Sequence, residues 1–307
     1  MNEVAIPELL VGEPTKCGVL EVYPLYPERT LFGDDTLDYL LSDEAQAAGS
    51  CTVRELPEPK VGKVMVENTG DHSILFLEGE ELVGAKQNRV VLTSVLIAAR
   101  SQATIPVFCV EHGRWDSSSS NLKTGAHAPP SLRCVMKGGT RHRIPRGDGR
   151  QIEVWRFIMS KHLATGTFSP KENMSDVFVN HPQVVQELRQ ELPYPEGASG
   201  IAAAINGKVV GIDLFDKPDT LQKVWDRLVV LGLTLDYLDL RNADRLGDRA
   251  AKPVQLYMEA VSEASWQEVP TVGTGKMYRA YDSGCLAAAL VVDGTLLHLS
   301  ISVPTRH

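Results

Sequence analysis

The sequence predicts an α+β fold, in which a β-rich antiparallel lobe, sandwich- or barrel-like, is followed by helices packed on a second antiparallel sheet. Residues 51–110 contain apolar runs separated by turn-forming residues, at intervals too short for crossover helices. Residues 221–238 carry apolar side chains at helical spacing. Asn206 with Gly207, and Asp293 with Gly294, each separate two β-like runs and predict hairpins.

Residues 1–115 are predicted to form the β-rich lobe. An edge strand is expected at residues 18–26, because Pro24 cannot donate a hydrogen bond to a central ladder. Apolar residues at helical spacing then predict one short helix that ends at Gly49. The remaining strands are expected to pair antiparallel with their neighbours and to lie at residues 52–56, 64–67, 74–77, 89–97 and 103–110.

Residues 116–150 are predicted to form a long polar and basic loop. Serines, glycines and the pair Pro129 and Pro130 break the periodic pattern there. Between Arg133 and Lys161 the sequence has eight arginines and lysines against two acidic residues, so a local anionic partner fits this segment. RNA ranks last among such partners, because aromatic residues that could stack on bases are sparse.

Residues 151–307 are predicted to form an α+β lobe with two hairpins and a long helix, or to intertwine with the first lobe as one domain. Helical spacing appears at residues 154–163 and 184–192. A longer helix is expected to begin after Asp216, which can cap it, with Pro218 in its first turn. A shorter helix is predicted at residues 253–262.

The composition is that of an ordinary soluble globular protein, with 43% hydrophobic and 23% charged residues. No apolar run approaches the roughly 20 residues that span a bilayer. The first residues lack the pattern of a secretory signal, so we expect a cytoplasmic protein. A net charge of -8 argues against non-specific nucleic-acid binding by the whole chain. Five widely spaced cysteines without a Cys-x-x-Cys pair predict free thiols.

Two polar segments, residues 78–89 and 109–115, carry the candidate site. They bring carboxylates, amides, guanidiniums and a thiol next to apolar strands, a set that suits an anionic ligand. The predicted ligand-binding residues are Lys86, Gln87, Asn88, Arg89, Arg114 and Trp115. The predicted catalytic residues are Glu81, Cys109 and Glu111. The scattered histidines predict no metal site, and no cofactor can be identified.

Each of these residues also has a structural interpretation. Cys109 is a candidate nucleophile, or a buried core cysteine at the end of a strand. Glu80 and Glu81 are a candidate acid/base pair only if a bend converges them, and otherwise form a charged edge. The amides at residues 87 and 88 either contact a ligand or hold a turn, and Arg114 with Trp115 either clamps a base and phosphate or anchors a loop.

Three segments resemble the ARG and rhodanese-phosphatase-superfamily-associated protein family, first type, over residues 18–302. They are Leu77-Glu-Gly-Glu-Glu-Leu-Val-Gly-Ala-Lys-Gln-Asn-Arg89, Ile105-Pro-Val-Phe-Cys-Val-Glu-His-Gly-Arg-Trp115 and Gly211-Ile-Asp-Leu-Phe-Asp216. The resemblance implies a bacterial protein that acts beside ADP-ribosyl-hydrolase-like and phosphatase-like enzymes, on nucleotide-derived or ADP-ribose-like molecules. That family is named for its gene neighbours, so no reaction can be inferred from the resemblance.

The sequence leaves two hypotheses about function. In the first, the polar residues bind or process a small phosphate-bearing ligand of nucleotide or ADP-ribose type. In the second, the protein is a non-catalytic interaction or scaffold protein, and the same residues form a structural network. Both hypotheses require the two polar segments to meet in space, and only the first requires an accessible hollow beside them.

Overall fold

The computed structural model describes residues 4–27, 37–116, 119–138, 148–241, 253–282 and 284–304. Its strands are β1 Leu9–Val11, β2 Thr15–Cys17, β3 Leu20–Pro27, β4 Tyr39–Leu41, β5 Cys51–Arg54, β6 Lys63–Asn68, β7 Ser73–Phe76, β8 Glu80–Gly84, β9 Arg89–Val91, β10 Val95–Ile97, β11 Ser101–Cys109, β12 Asn121–His127, β13 Gly200–Ile205, β14 Lys208–Phe215, β15 Gln267–Val269, β16 Lys276–Asp282, β17 Cys285–Val292 and β18 Thr295–Ser302. Its α-helices are α1 Ser42–Ala47, α2 Pro130–Lys137, α3 Asp148–Thr165, α4 Asp176–Asn180, α5 Pro182–Glu191, α6 Pro218–Trp225, α7 Gly232–Leu240 and α8 Val254–Glu263, with a π-helical segment Asp226–Leu231 between α6 and α7.

The β-rich lobe contains a closed antiparallel barrel, which confirms the predicted α+β class. Its strands are arranged in the order β11-β6-β5-β12-β8-β9, and β9 closes on β11. Branched side chains such as Val53, Val66 and Ile105 fill its interior. Strands β10, β7 and β4 form a small sheet beside the barrel. Strand β4 lies where the first turn of the short helix was predicted, so that helix begins only at Ser42. The pair of β4 with β7 is parallel, and α1, β5 and β6 form the connection between the two strands.

The second sheet joins both ends of the chain. Within the described residues it has nine strands, in the order β1-β3-β13-β14-β18-β17-β16-β15, and β2 pairs with β3. The first three strands therefore belong to this sheet and not to a lobe of residues 1–115, because β3 pairs along its length with β13. One sheet therefore contains strands from residues 9–27 and from residues 200–302.

Helices cover both faces of this sheet. Ile201 and Ala203 face α5, α6 and α7, whereas Ala202 and Ala204 face α8. Strands buried on both faces need apolar side chains at every position, which explains the alanine-rich runs that open both hairpins. No helix in the described parts of the chain is long and apolar enough to cross a bilayer.

The predicted loop at 116–150 is partly wrong. Strand β12 and helix α2 lie within it, and residues 117, 118 and 139–147, with Arg141, Arg143 and Arg146, lie outside the described residues. Pro130 occupies the first turn of α2, and Gly125 lies within β12 where a Cβ would approach the side chain of Val83 to 2.6 Å. Proline and glycine therefore lie within a helix and a strand here, although their sequence pattern favours a loop.

Candidate functional site

The two predicted polar segments meet at the edge of the barrel. Strands β9 and β11 pair so that Arg89 lies opposite Cys109. The backbone N–H of Val110 donates to the carbonyl of Asn88 at 3.0 Å, which extends the pairing past the end of both strands. The hydrogen-bond ladder thus places residues 86–89 directly against residues 109–115.

Glu111 and Arg114 form the centre of this arrangement. Arg114 Nε lies 2.8 Å from Glu111 Oε1, and Arg114 Nη2 lies 2.7 Å from Glu111 Oε2. The backbone N–H of Asn88 also donates to Glu111 Oε2, at 3.0 Å. Arg114 further donates to the carbonyls of Ala85 and Gly84. The predicted acid/base and ligand-binding groups are therefore directed at each other.

Arg89 and Gln87 extend the same network inward. Arg89 is fully buried, and its Nη1 donates to the Gln87 carbonyl at 2.8 Å. Arg89 Nη2 lies 3.4 Å from Glu55 Oε1. Gln87 Nε2 donates to the Glu111 carbonyl at 2.8 Å. Arg89 is thus a structural cation with protein partners, and burial lowers its pKa.

Cys109 is a buried thiol in this network. Its Sγ donates to the carbonyl of Glu111 at 3.1 Å, and the Gln151 amide binds the Cys109 backbone at both N and O. Burial raises the pKa of the thiol, although the nearby Arg89 charge opposes that effect. A protonated, inaccessible thiol is a poor nucleophile, so the geometry favours the interpretation of Cys109 as a core cysteine.

Glu80 and Glu81 do not converge. Glu80 accepts hydrogen bonds from Ser42 and Thr124, whereas Glu81 accepts from Ser175, at 2.6 Å to each oxygen. Neighbouring strand residues point to opposite faces, and no bend overcomes that alternation here. Burial raises the pKa of Glu81 to about 7, while the hydrogen bond from Ser175 opposes the shift.

Lys86 and Trp115 are the more exposed members of the predicted site. Lys86 Nζ lies 5.5 Å from the centroid of the Trp115 ring, and Trp115 as a whole residue is 45% exposed. Lys86 also lines a cavity of about 570 Å³ at the barrel surface, together with Arg54, Glu55, Ser119 and Ser120. This hollow lies beside the buried network and not within it.

A second cluster of buried charges joins the barrel to the large sheet, and sequence reasoning missed it. Arg133 on α2 holds Asp213 on β14 with two hydrogen bonds of 2.6 and 2.7 Å. Lys137, one helical turn further on, lies 2.5 Å from Glu78. Burial alone would raise the pKa of Asp213. The Arg133 guanidinium nevertheless lowers this pKa well below its usual range.

The same cluster contains a serine, histidine and aspartate in line. Ser94 Oγ lies 2.7 Å from His298 Nδ1, and His298 Nε2 lies 3.3 Å from Asp213 Oδ1. All three side chains are at most 2% exposed, and Ser94 Oγ accepts the backbone N–H of Glu78 at 2.9 Å. Asp213 is bound to Arg133 as well, so the arrangement fits a structural junction better than a nucleophile.

The signal for this junction was only partly present in the sequence. Asp213 lies in the motif at residues 211–216, and Arg133 and Lys137 are four residues apart, as on one face of a helix. Nothing in the pattern connects α2 to β14, which is 80 residues away. Among the described residues, no group of three His, Cys, Asp or Glu side chains is arranged to hold a metal ion.

These features define an α+β protein whose barrel carries a buried network of charged and amide side chains beside a polar surface cavity. Residues 8–302 match the family model described as ARG and Rhodanese-Phosphatase-superfamily-associated Protein domain, ARPP-1. The chain belongs to this family, which confirms the resemblance carried by the three motifs. No curated protein and no solved structure matches the chain significantly.

Proposed function

We propose that this protein binds a small phosphate-bearing molecule, of nucleotide or ADP-ribose type, in the cavity at the barrel surface. The observation that carries the proposal is the position of Lys86, which lines the cavity and lies against the exposed ring of Trp115. An ammonium next to an aromatic face supplies a phosphate contact and a stacking surface for a base, here from two polar segments that the pairing of β9 with β11 brings together.

The charges around the cavity favour an anion. Arg54 and Lys86 are its cations, and Ser119 and Ser120 add hydroxyl donors. Glu55 is the acidic residue of the lining, but its Oε1 lies 3.4 Å from the buried Arg89 guanidinium, which compensates its charge. Arg54 pairs with Glu67 at 3.1 Å, and both side chains are about 40% exposed, so a phosphate could compete for Arg54 at little cost.

The buried network has a supporting role in this proposal. Lys86 donates its backbone N–H to Glu55 Oε1 at 3.3 Å, and its neighbours Gln87 and Asn88 are tied to Glu111. The network therefore fixes the segment that presents Lys86, although its arginine and amide groups already donate to protein atoms, and Arg89 Nε, which has no hydrogen-bond partner among the described residues, is buried. This geometry supports binding more directly than catalysis, because none of the predicted catalytic residues lines the cavity.

The family description and the cysteines are consistent with this ligand class. ARG and rhodanese-phosphatase proteins, which the family description names, suggest a phosphate-bearing partner molecule. All five cysteines lie in the described residues, where they are buried and form no disulfide, as expected for a reducing compartment. We propose that the protein acts in the bacterial cytoplasm, a location that the buried cysteines support.

Calorimetric titration with ADP-ribose, AMP and inorganic phosphate tests the proposal. The wild-type protein should bind ADP-ribose or AMP with one site per chain. Lys86→Ala should weaken that binding by about tenfold or more, because a charge-assisted contact to phosphate is lost. The matched control is Lys123→Ala, which removes an exposed lysine from β12 outside the cavity and should leave affinity unchanged. Absence of binding, or equal loss in both variants, would contradict the proposal.

The second candidate function is that of a non-catalytic interaction or scaffold protein. The observation that favours it is that Arg89, Glu111 and Arg114 all bind protein groups within the network. If only this role exists, Lys86→Ala will change neither stability nor any small-molecule titration. Changes at Glu111 will then lower stability without affecting a ligand, whereas the first candidate requires a ligand whose affinity depends on Lys86.

A further inference from the structure

Helix α3 has apolar side chains on its outer face as well as on the face that packs against the barrel. Ile158 on the inner face is fully buried. Met159 and Leu163, which are four residues apart and so lie on one side of the helix, are 44% and 78% exposed. Phe168, which follows α3, is 76% exposed, and Val179 on α4 is 78% exposed. We call Met159, Leu163, Phe168 and Val179 the apolar patch, and clusters of exposed apolar side chains of this kind mark interaction surfaces.

Hydrogen bonds hold the patch in a fixed shape. The backbone N–H of Thr167 donates to the carbonyl of His162 at 2.9 Å, which closes the turn after α3. The Asn180 side chain then ties this turn to α4, because the Phe168 N–H donates to Asn180 Oδ1 at 2.9 Å and Asn180 Nδ2 donates to the Phe168 carbonyl at 3.0 Å. Phe168 is therefore held beside the helix that carries Val179. A surface that is already ordered loses little conformational freedom when a partner covers it.

The surface around the patch is uncharged. In residues 159–170 and 179–183, all of which the structure describes, no exposed side chain is charged. Lys161 and His162 are buried, and the Lys161 ammonium is directed inward to α7. Burial lowers the pKa of His181, so this side chain is neutral at pH 7. Because a two-fold axis places each central side chain near its own copy, the centre of a symmetric interface has to avoid charge.

We infer that the apolar patch is the centre of a symmetric interface between two copies of this chain. A second copy fits the patch better than an acidic or basic partner does, because the patch offers no charge that would select one. One turn before Met159, Arg156 pairs with Glu153 at 3.1 Å, so the solvent-exposed rim carries compensated charge and does not repel its copy. No residue of the patch lines the cavity of Lys86, so this inference is independent of the proposed function.

Sedimentation velocity at chain concentrations from about 1 to 100 µM tests the inference. At the upper end the wild type should sediment as a dimer, with twice the chain mass of 33.6 kDa, and it should dissociate on dilution. Leu163→Glu should raise the dissociation constant of the dimer by about a hundredfold or more, because each copy would bury an unpaired carboxylate in the interface. The matched control is Leu256→Glu, which replaces a 45% exposed leucine on α8, a helix on the other face of the large sheet, and should remain dimeric.

A second variant separates loss of the interface from loss of the fold. Phe168→Glu introduces the same charge in the turn and not in a helix, and it should weaken the dimer as Leu163→Glu does. Both variants should keep the circular-dichroism spectrum of the wild type, since both side chains are about three-quarters exposed. A wild type that stays monomeric over the whole concentration range would overturn the inference. Persistence of the dimer in both folded variants, or its loss in Leu256→Glu, would do the same.

Discussion

Arg114 holds the carboxylate of Glu111 with two parallel hydrogen bonds, from Nε to Oε1 at 2.8 Å and from Nη2 to Oε2 at 2.7 Å. This pair closes the turn after β11. The side chain of Arg114 is 17% exposed and that of Glu111 is 5% exposed. Because the same carboxylate accepts the backbone N–H of Asn88, the pair also holds the segment that precedes β9. The ion pair is therefore the point at which the two polar segments are joined.

Breaking this pair should destabilise the fold. Glu111→Gln removes the charge that compensates Arg114, and the expected loss in the free energy of unfolding is about 2–4 kcal/mol. Urea denaturation measures this loss, and the slope of the unfolding free energy against urea concentration should be the same as in the wild type. The control is Glu153→Gln, which breaks an exposed pair with Arg156 and should lose less than about 1 kcal/mol. Similar losses in the two variants would show that the buried pair contributes no more to stability than the exposed pair does.

Ionisation of Glu81 should lower the free energy of unfolding as the pH rises. Its pKa in the folded protein is raised from 4.5 to about 7, chiefly by burial, so the folded state binds a proton more tightly than the unfolded state does. The protonated form stabilises the fold at low pH, and that contribution is lost as the pH rises through about 7. By pH 8 the loss amounts to about 3 kcal/mol.

Glu81→Gln tests this dependence, because glutamine can still accept the hydrogen bond of Ser175 and does not ionise. Relative to the wild type, the variant should gain about 2–3 kcal/mol of stability between pH 5 and pH 8. Glu268→Gln, a half-exposed carboxylate on β15, serves as the control. Denaturation curves at both pH values that differ from the wild type by a constant amount would refute the assignment to Glu81.

The junction between barrel and sheet should be more sensitive than a surface pair of the same geometry. Asp213→Asn leaves the buried guanidinium of Arg133 without its counter-charge, and the expected loss is about 3–5 kcal/mol. Asp226→Asn is the matched control, since Asp226 also binds an arginine, Arg189, through two hydrogen bonds but at the surface. Chemical denaturation should show a small loss for the control, and a loss as large as that of Asp213→Asn would count against a burial effect.

Gly79 should tolerate no side chain, because two effects add there. Its φ is +90°, and a Cβ would overlap the His127 ring and lie 2.6 Å from Arg133 Cδ. Gly49 has a similar φ of +74° with no atom within 4 Å of the added Cβ. Gly49→Ala should therefore lose about 1–2 kcal/mol from backbone strain alone.

Gly79→Ala should lose clearly more than Gly49→Ala, or accumulate little folded protein, because the buried junction has to move. Thermal melting of purified protein, together with the soluble fraction on expression, measures the difference. Equal behaviour of the two alanine variants would mean that the contacts around His127 and Arg133 are easily rearranged.

Local parts of the fold were predictable because they depend on neighbouring residues. Asn206 and Gly207 have φ values of +52° and +74°, and they connect β13 to β14 as the Asn-Gly pattern predicts. The helix expected after Asp216 has Pro218 in its first turn as predicted, but its N-cap residue is Lys217 and no side chain caps it, because the Asp216 carboxylate binds Tyr39 instead. It is not continuous, since a π-helical segment at Asp226–Leu231 separates α6 from α7, and the regular apolar spacing gave no sign of that change.

For the candidate site, only the approach of the two polar segments to each other could be predicted from the sequence. The pairing of β9 with β11 depends on short-range strand order, so the approach of Arg89 to Cys109 could be expected. Which polar groups face a hollow depends on side-chain direction after the strands end, and there Glu111 and Arg114 turn to each other. The junction of Arg133 with Asp213 depends on packing between elements far apart in sequence, which periodicity does not encode.

The central claim is that Lys86 presents a binding site while the network behind it is structural. A crystal structure of the protein soaked with ADP-ribose tests this claim most directly. We predict electron density for the phosphates within hydrogen-bond distance of Lys86 and Arg54, with Glu111 still bound to Arg114. Density for the ligand elsewhere, or a displaced Arg114 that contacts the phosphates itself, would contradict the account.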